Sequence, residues 1–96
     1  MAGELTIDLA ARRVTHGDRE IRLTPTEFAL LKLLASHRGR LITHSMLLSE
    51  VWGPAYSEDT HVLRVHIANL RSKIEPEAGR PRYITTDPGV GYRFAA

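Results

Sequence analysis

The chain has 96 residues, 43% of them hydrophobic and 25% charged, with a formal net charge of +2. That composition describes one globular domain with a modest core and excludes a disordered chain, and no apolar run reaches the roughly 20 residues of a membrane span. Cysteine is absent, which excludes a disulfide framework and a thiolate metal site.

Residues 5–23 alternate in polarity. Leu5, Ile7 and Leu9 share one face, followed by Val14, Ile21 and Leu23, and Gly17-Asp18 marks a turn. Three short antiparallel strands are predicted. "LTPTEFALLKLLASHRG" then reads as a helix. Thr24 stands at the N-cap, Pro25 at the first helical position, and Glu27 completes a capping box. Phe28, Leu31, Leu34 and Ala35 recur at helical spacing, and Gly39 ends the segment.

"RLITHSMLLSEVWG" repeats the plan. A short extended piece, Arg40–Ile42, leads to a cap at Thr43. A helix with Leu47, Leu48 and Val51 inward follows, and Gly53-Pro54 stops it. Gly53–Ser57 reads as a loop. "EDTHVLRVHIANLRSKIEP" is the third helix, with acids at its start, Lys73 near its end, and Pro76 as terminator. A polar loop follows. "PRYITTDPGVGYRF" closes the series as a strand, a tight turn and a strand. The fold class is α+β: a winged helix-turn-helix with an N-terminal antiparallel sheet, three helices and a C-terminal hairpin wing, all in one domain over residues 1–96.

The third helix has two distinct faces. At about 100° per residue, Leu63, Ile67, Leu70 and Ile74 make one apolar stripe for the core. The opposite face carries His61, Val65, Ala68 and Ser72, flanked by Arg64 and Asn69. It is small in the middle and polar or cationic at the edges. Such a profile fits a major groove, where Arg forks to guanine, Asn pairs with adenine and a Val methyl meets a thymine methyl. The alternative is a solvated face or a surface for a partner protein. The exposed Val65 and Ala68 beside the wing favour DNA, and the second half of the chain is the basic one: residues 60–96 hold six basic and three acidic side chains, against seven and eight in residues 1–59.

Other chemistries find no support. The five histidines lie apart, with no HExxH or carboxylate cluster, so no metal site is expected. His66 reads as a packing residue. "GVG" at 89–91 lacks the spacing and the following helix of a nucleotide loop. No nucleophile stands with a base and an orienter, so neither enzyme activity nor a cofactor is expected. Trp52 can bury its ring and still leave its N–H at the edge of a phosphate contact. Tyr92 and Phe94 are the core side of the hairpin.

Three stretches, "LTPTEFALLKLLASHRGRLITHSMLLSEVWG", "VHIANLRSKIEP" and "GVGYRF", together resemble the effector domain of OmpR/PhoB-family response regulators. The likeness spans essentially the whole chain. "VWGPAYSEDTHVLRVHIANLR" and "RPRYITTDPGVGYRF" look most like the KdpE branch, which regulates high-affinity potassium uptake. The resemblance implies a four-stranded N-terminal sheet and a recognition helix from about Asp59 to Glu75. It implies base contacts at His61, Arg64, Val65, Ala68 and Asn69. Implied phosphate contacts are Trp52, Arg71, Thr86 and Tyr92, and Thr60, Ser72, Lys73, Arg82 and Arg93 complete the expected backbone-contacting set. Gly53, Pro54, Ala55, Tyr56 and Ser57 would form the loop that touches RNA polymerase.

The expected partners are double-stranded DNA with direct repeats and RNA polymerase. A receiver domain of the same protein is expected too, with a sensor kinase acting only through it. That receiver has no counterpart in these residues, so a fragment of a longer cytoplasmic protein is expected, monomeric alone and paired head-to-tail on DNA. Two departures stand out. Several family members carry arginine where Ala68 and Asn69 stand, and some place arginine at the wing tip, where this chain has Pro88. Competing readings are a winged-helix protein-interaction module and a non-specific DNA-binding protein.

Overall fold

The computed structural model describes residues 5–77 and 79–95. The first three strands are β1 (Leu5–Asp8), β2 (Arg13–His16) and β3 (Arg19–Ile21), an antiparallel sheet in the order β1-β2-β3. Leu5 and Val14 point into the core from it. Three strands, rather than the four implied by the resemblance, form this sheet among the described residues. Leu9–Arg12 turns instead of extending. The Ala11 N–H donates to Asp8 Oδ1 at 3.0 Å, and Arg12 takes a positive φ of 55°. The Arg12 guanidinium lies 4.8 Å from the Phe28 ring centroid, which ties the sheet to the first helix.

That helix, α1 (Pro25–Ser36), starts as its sequence dictates. Thr24 Oγ1 accepts from the Glu27 N–H, and Glu27 Oε1 accepts from the Thr24 N–H. Strand β4 (Leu41–Thr43) then runs directly into helix α2 (His44–Val51), and Thr43, the last strand residue, is also the helix N-cap. One turn of 3₁₀ helix, Pro54–Tyr56, separates α2 from α3 (Thr60–Ile74). Leu63, Ile67, Leu70 and Ile74 are all at most 1% exposed, so the predicted stripe is the buried one. Each such side chain contributes roughly 2 kcal/mol of transfer free energy.

The hairpin is β5 (Ile84–Asp87) and β6 (Gly91–Phe94). β4 pairs with β6, giving a second sheet in the order β4-β6-β5. Ile42 faces Tyr92 and Thr43 faces Gly91 in the register. The approach is close enough that a side chain at Gly91 would strike the Ile42 carbonyl. At the tip the Val90 N–H returns to the Asp87 carbonyl at 3.0 Å, and Gly89 takes the positive φ of 74° that the turn demands. Ile84, Tyr92 and Phe94 enter the same core as the helices, so the root of the wing is packed and its tip projects.

Candidate nucleic-acid interface

Burying the Leu63–Ile74 stripe fixes the rotation of α3 and leaves a defined outer face. His61, Arg64, Val65, Ala68, Asn69 and Ser72 are exposed there. Val65 is 44% exposed although it is apolar. Among the described residues none hydrogen-bonds the side chains of His61, Arg64 or Asn69. The Ser72 hydroxyl folds back instead, donating to the Asn69 carbonyl at 2.6 Å. Thr60 is half-buried at the first turn. The face therefore offers a free guanidinium, a free amide and a free imidazole around a low centre of Val65 and Ala68.

The flanks of α3 differ from this face. Arg71 turns toward the wing. Its Nε and Nη2 donate to the Ile84 carbonyl at 3.1 and 2.8 Å, and Nη2 also donates to Thr86 Oγ1 at 2.6 Å. The guanidinium carbon lies 5.5 Å from the Tyr92 ring centroid. Burial lowers the Arg71 pKa from its ordinary value, and the Tyr92 hydroxyl and the Glu75 carboxylate oppose that shift; the group stays a cation. Two residues expected at phosphates, Arg71 and Thr86, thus hold each other.

Lys73 points in the other direction. Its ammonium sits 2.6 Å from Glu27 Oε1, facing α1 rather than the outer face. Glu27 is 3% exposed. Burial pushes its carboxyl up, but hydrogen bonds from Lys73 and from Thr24 outweigh it and hold the group below the ordinary carboxylate range. Arg93 is likewise engaged. Its Nη2 pairs with Asp87 at 2.8 Å and its Nη1 donates to the Gly39 carbonyl at 3.1 Å. The sequence shows the charges of Lys73 and Arg93 but not these partners, which lie far along the chain or across the hairpin.

The remaining expected residues fall as follows. Arg82 is exposed at the foot of the wing, and among the described residues its guanidinium has no partner. Thr86 is exposed on β5. The Tyr92 ring is buried and packs edge-on to His44 at 5.5 Å. Trp52 is half-buried at the end of α2, edge-on to His66 at 5.0 Å. His66 is a packing residue, with its Nδ1 2.9 Å from the Val62 carbonyl. In the loop Gly53–Ser57, Gly53 takes a positive φ of 110°, and Tyr56 stands 50% exposed beside Pro54 and Ala55.

One residue escaped the sequence reading. Glu75 caps the end of α3 and is 8% exposed. Its Oε1 accepts from the N–H of Arg82 at 2.7 Å and of Tyr83 at 3.0 Å. Its Oε2 accepts from Tyr83 at 3.0 Å and from Ile84 at 2.8 Å. A carboxylate at a helix C-terminus opposes the helix dipole, and that was the available signal that it has business elsewhere.

Comparison with known proteins gives the family and the fold. Residues 18–94 match the family described as transcriptional regulatory protein, C terminal. The transcriptional regulatory protein KdpE of Mycobacterium tuberculosis is 48% identical over 91 residues, covering 95% of this chain. The chain spans only 40% of that relative's length. The response regulator DrrB of Thermotoga maritima, an OmpR/PhoB homologue, superposes with a TM-score of 0.87 at 36% identity, over 98% of this chain and 42% of DrrB. The Klebsiella pneumoniae RstA DNA-binding domain, solved in complex with the RstA box, gives a TM-score of 0.86 at 34% identity, over 97% of this chain and 92% of that domain. The chain belongs to the transcriptional regulatory protein C-terminal family, as a winged-helix effector domain of the OmpR/PhoB type that is similar to KdpE.

Proposed function

We propose that this domain binds double-stranded DNA with sequence preference and is the output half of a two-component transcriptional regulator. The outer face of α3 carries the reading: Arg64 and Asn69 stand exposed, without partners among the described residues, around a centre kept low by Val65 and Ala68. α3 enters the major groove. Arg64 forks to guanine O6 and N7, Asn69 pairs with adenine, and the Val65 methyls meet a thymine methyl. His61 reads at the N-terminal end. Trp52, Thr60, Ser72, Arg82, Thr86 and Tyr92 set the register on phosphates. The solved RstA complex supports this geometry, since that relative's DNA-binding domain was captured on its own box.

The larger protein follows from the family. Residues 1–96 form one winged-helix domain, preceded in the full protein by a receiver that a sensor kinase phosphorylates in the cytoplasm. Two copies sit head-to-tail on direct repeats, and Gly53–Ser57 meets RNA polymerase. The likeness to KdpE makes potassium-uptake genes the proposed target. Fluorescence anisotropy tests the reading, with a labelled direct-repeat operator from a potassium-uptake promoter and its scrambled version, each titrated at several salt concentrations. Operator preference with a steep salt slope is expected. Equal binding to both duplexes removes the target. No binding even at low salt removes the DNA reading and leaves a protein-interaction module.

A further inference from the structure

The five histidines differ in what holds them. His37 Nδ1 sits 2.9 Å from the Leu33 carbonyl at the end of α1. His66 lies against the Val62 carbonyl and the Trp52 ring, and His44 packs on Tyr92. His16 belongs to the N-terminal sheet, between Leu5 of β1 and Arg19 of β3 in the register. His61 is exposed in the first turn of α3, on the same outer face as Arg64. Among the described residues no ring, hydrogen bond or ion pair engages its imidazole. The charged groups around it are few. Glu58 and Asp59 precede it in the chain, Arg64 follows one turn on, and the 3₁₀ turn before α3 adds the Tyr56 phenol. Glu50 of α2 lines the groove against α1 instead.

We propose that His61 makes DNA binding by this domain proton-linked: the duplex holds the imidazolium in preference to the neutral ring. The proposal rests on the DNA-binding reading and adds the regulation of that site by pH. An imidazole changes charge between about pH 5 and 8. Neutral, it donates from one nitrogen; charged, it donates from both. A duplex offers acceptors at phosphate oxygens and at guanine O6 and N7, within a field that favours any added cation. The complex therefore binds more protons than the free domain and DNA, so affinity rises as pH falls. The Glu27 carboxyl, held below its ordinary value of 4.5, stays ionised across that window and adds nothing to the effect. The background charge is small. With histidines neutral the chain carries a formal +2, and Lys73 and Arg93 each face a carboxylate. One further cation on the outer face is a large share of what the domain presents to a polyanion.

Anisotropy with the direct-repeat operator tests this at about pH 5.5 and about pH 8, each over a range of salt, for the unaltered domain, His61→Gln and His61→Arg. The unaltered domain is expected to bind about tenfold more tightly at the lower pH, with a slope of log K against log salt steeper by up to about 0.9. His61→Gln should lose most of both differences. His61→Arg should keep the steeper slope at both pH values, because its charge does not titrate. All three are expected to fold alike, since the side chain is exposed and touches no core residue.

Single-substituted duplexes separate the two acceptors. A pH effect that survives every base-pair change assigns the imidazolium to phosphate, and one lost with a single G·C pair assigns it to guanine. Equal affinity of the unaltered domain at both pH values would overturn the proposal while leaving operator binding intact. So would a full pH effect persisting in His61→Gln, which would place the proton on another histidine. No operator preference at either pH would remove the proposed function and this proposal together.

Discussion

Glu27 and Lys73 join the N-terminus of α1 to the C-terminal turn of α3, with a separation of 2.6 Å between Oε1 and Nζ. The Glu27 side chain is 4% exposed and that of Lys73 is 36% exposed. The pair lies between an exposed ion pair, at about 0.2–1 kcal/mol, and a buried one, whose breaking costs about 3–5 kcal/mol. A coupling of about 1–2 kcal/mol is expected. Glu27→Gln isolates the charge, because glutamine retains an oxygen for the Thr24 N–H in the capping box. Lys73→Met strands the carboxylate and is the costlier single change. Urea unfolding of the unaltered domain, both single variants and the double variant closes a cycle.

The pH dependence carries its own sign. The folded Glu27 pKa is lowered from its ordinary value of 4.5, so the pair stabilises the fold above that value. The contribution fades as pH falls from 4.5 through the lower folded value. The stability gap between the unaltered domain and Glu27→Gln should be constant near neutrality and shrink in acid. A coupling within ~0.3 kcal/mol of zero, or a gap that stays flat into strong acid, would refute this account.

Other substitutions probe other parts. Arg64→Ala should cost about 1–3 kcal/mol on the preferred operator and relax discrimination at one base pair, read by competition with single-substituted duplexes. Gly91→Ala drives a methyl into the Ile42 carbonyl and should destabilise the domain by about 1–3 kcal/mol in a thermal melt, without altering α1 or α3. Phe94→Ala empties a fully buried site stacked on Tyr83 at a centroid distance of 6.4 Å. A loss of about 3–5 kcal/mol follows, which leaves little folded protein at physiological temperature.

The sequence discloses the helices best, because their information is local. The capping box lies within four residues, Thr24 to Glu27, and the α3 stripe repeats within fifteen. The outer face could be read for the same reason: once the stripe is buried, the opposite side is exposed. Side-chain direction could not. Lys73, Arg71 and Arg93 all read as cations available to phosphate, yet Lys73 and Arg71 find partners on other elements, and Arg93 finds Asp87 across the turn and Gly39 far back in the chain. Those partners depend on tertiary placement that no local period encodes. The pairing of β4 with β6 and the turn at Leu9–Arg12 belong to the same class.

Strand β4 also bears on how the molecule comes into being. Its only described ladder partner, β6, lies half the chain away in sequence. Thr43 ends that strand and caps α2, so the start of the helix-turn-helix is seated by residues made much later. Loop closure of that kind is slow and comes late in folding. During synthesis α1, α2 and even α3 can emerge with their periodicity complete and still lack Tyr92 and Phe94 to close the core beneath them. A nascent chain halted before Gly91 would carry every outer-face residue of α3 yet hold none of them in place. A fixed outer face would arrive abruptly with the last strand rather than accumulate helix by helix.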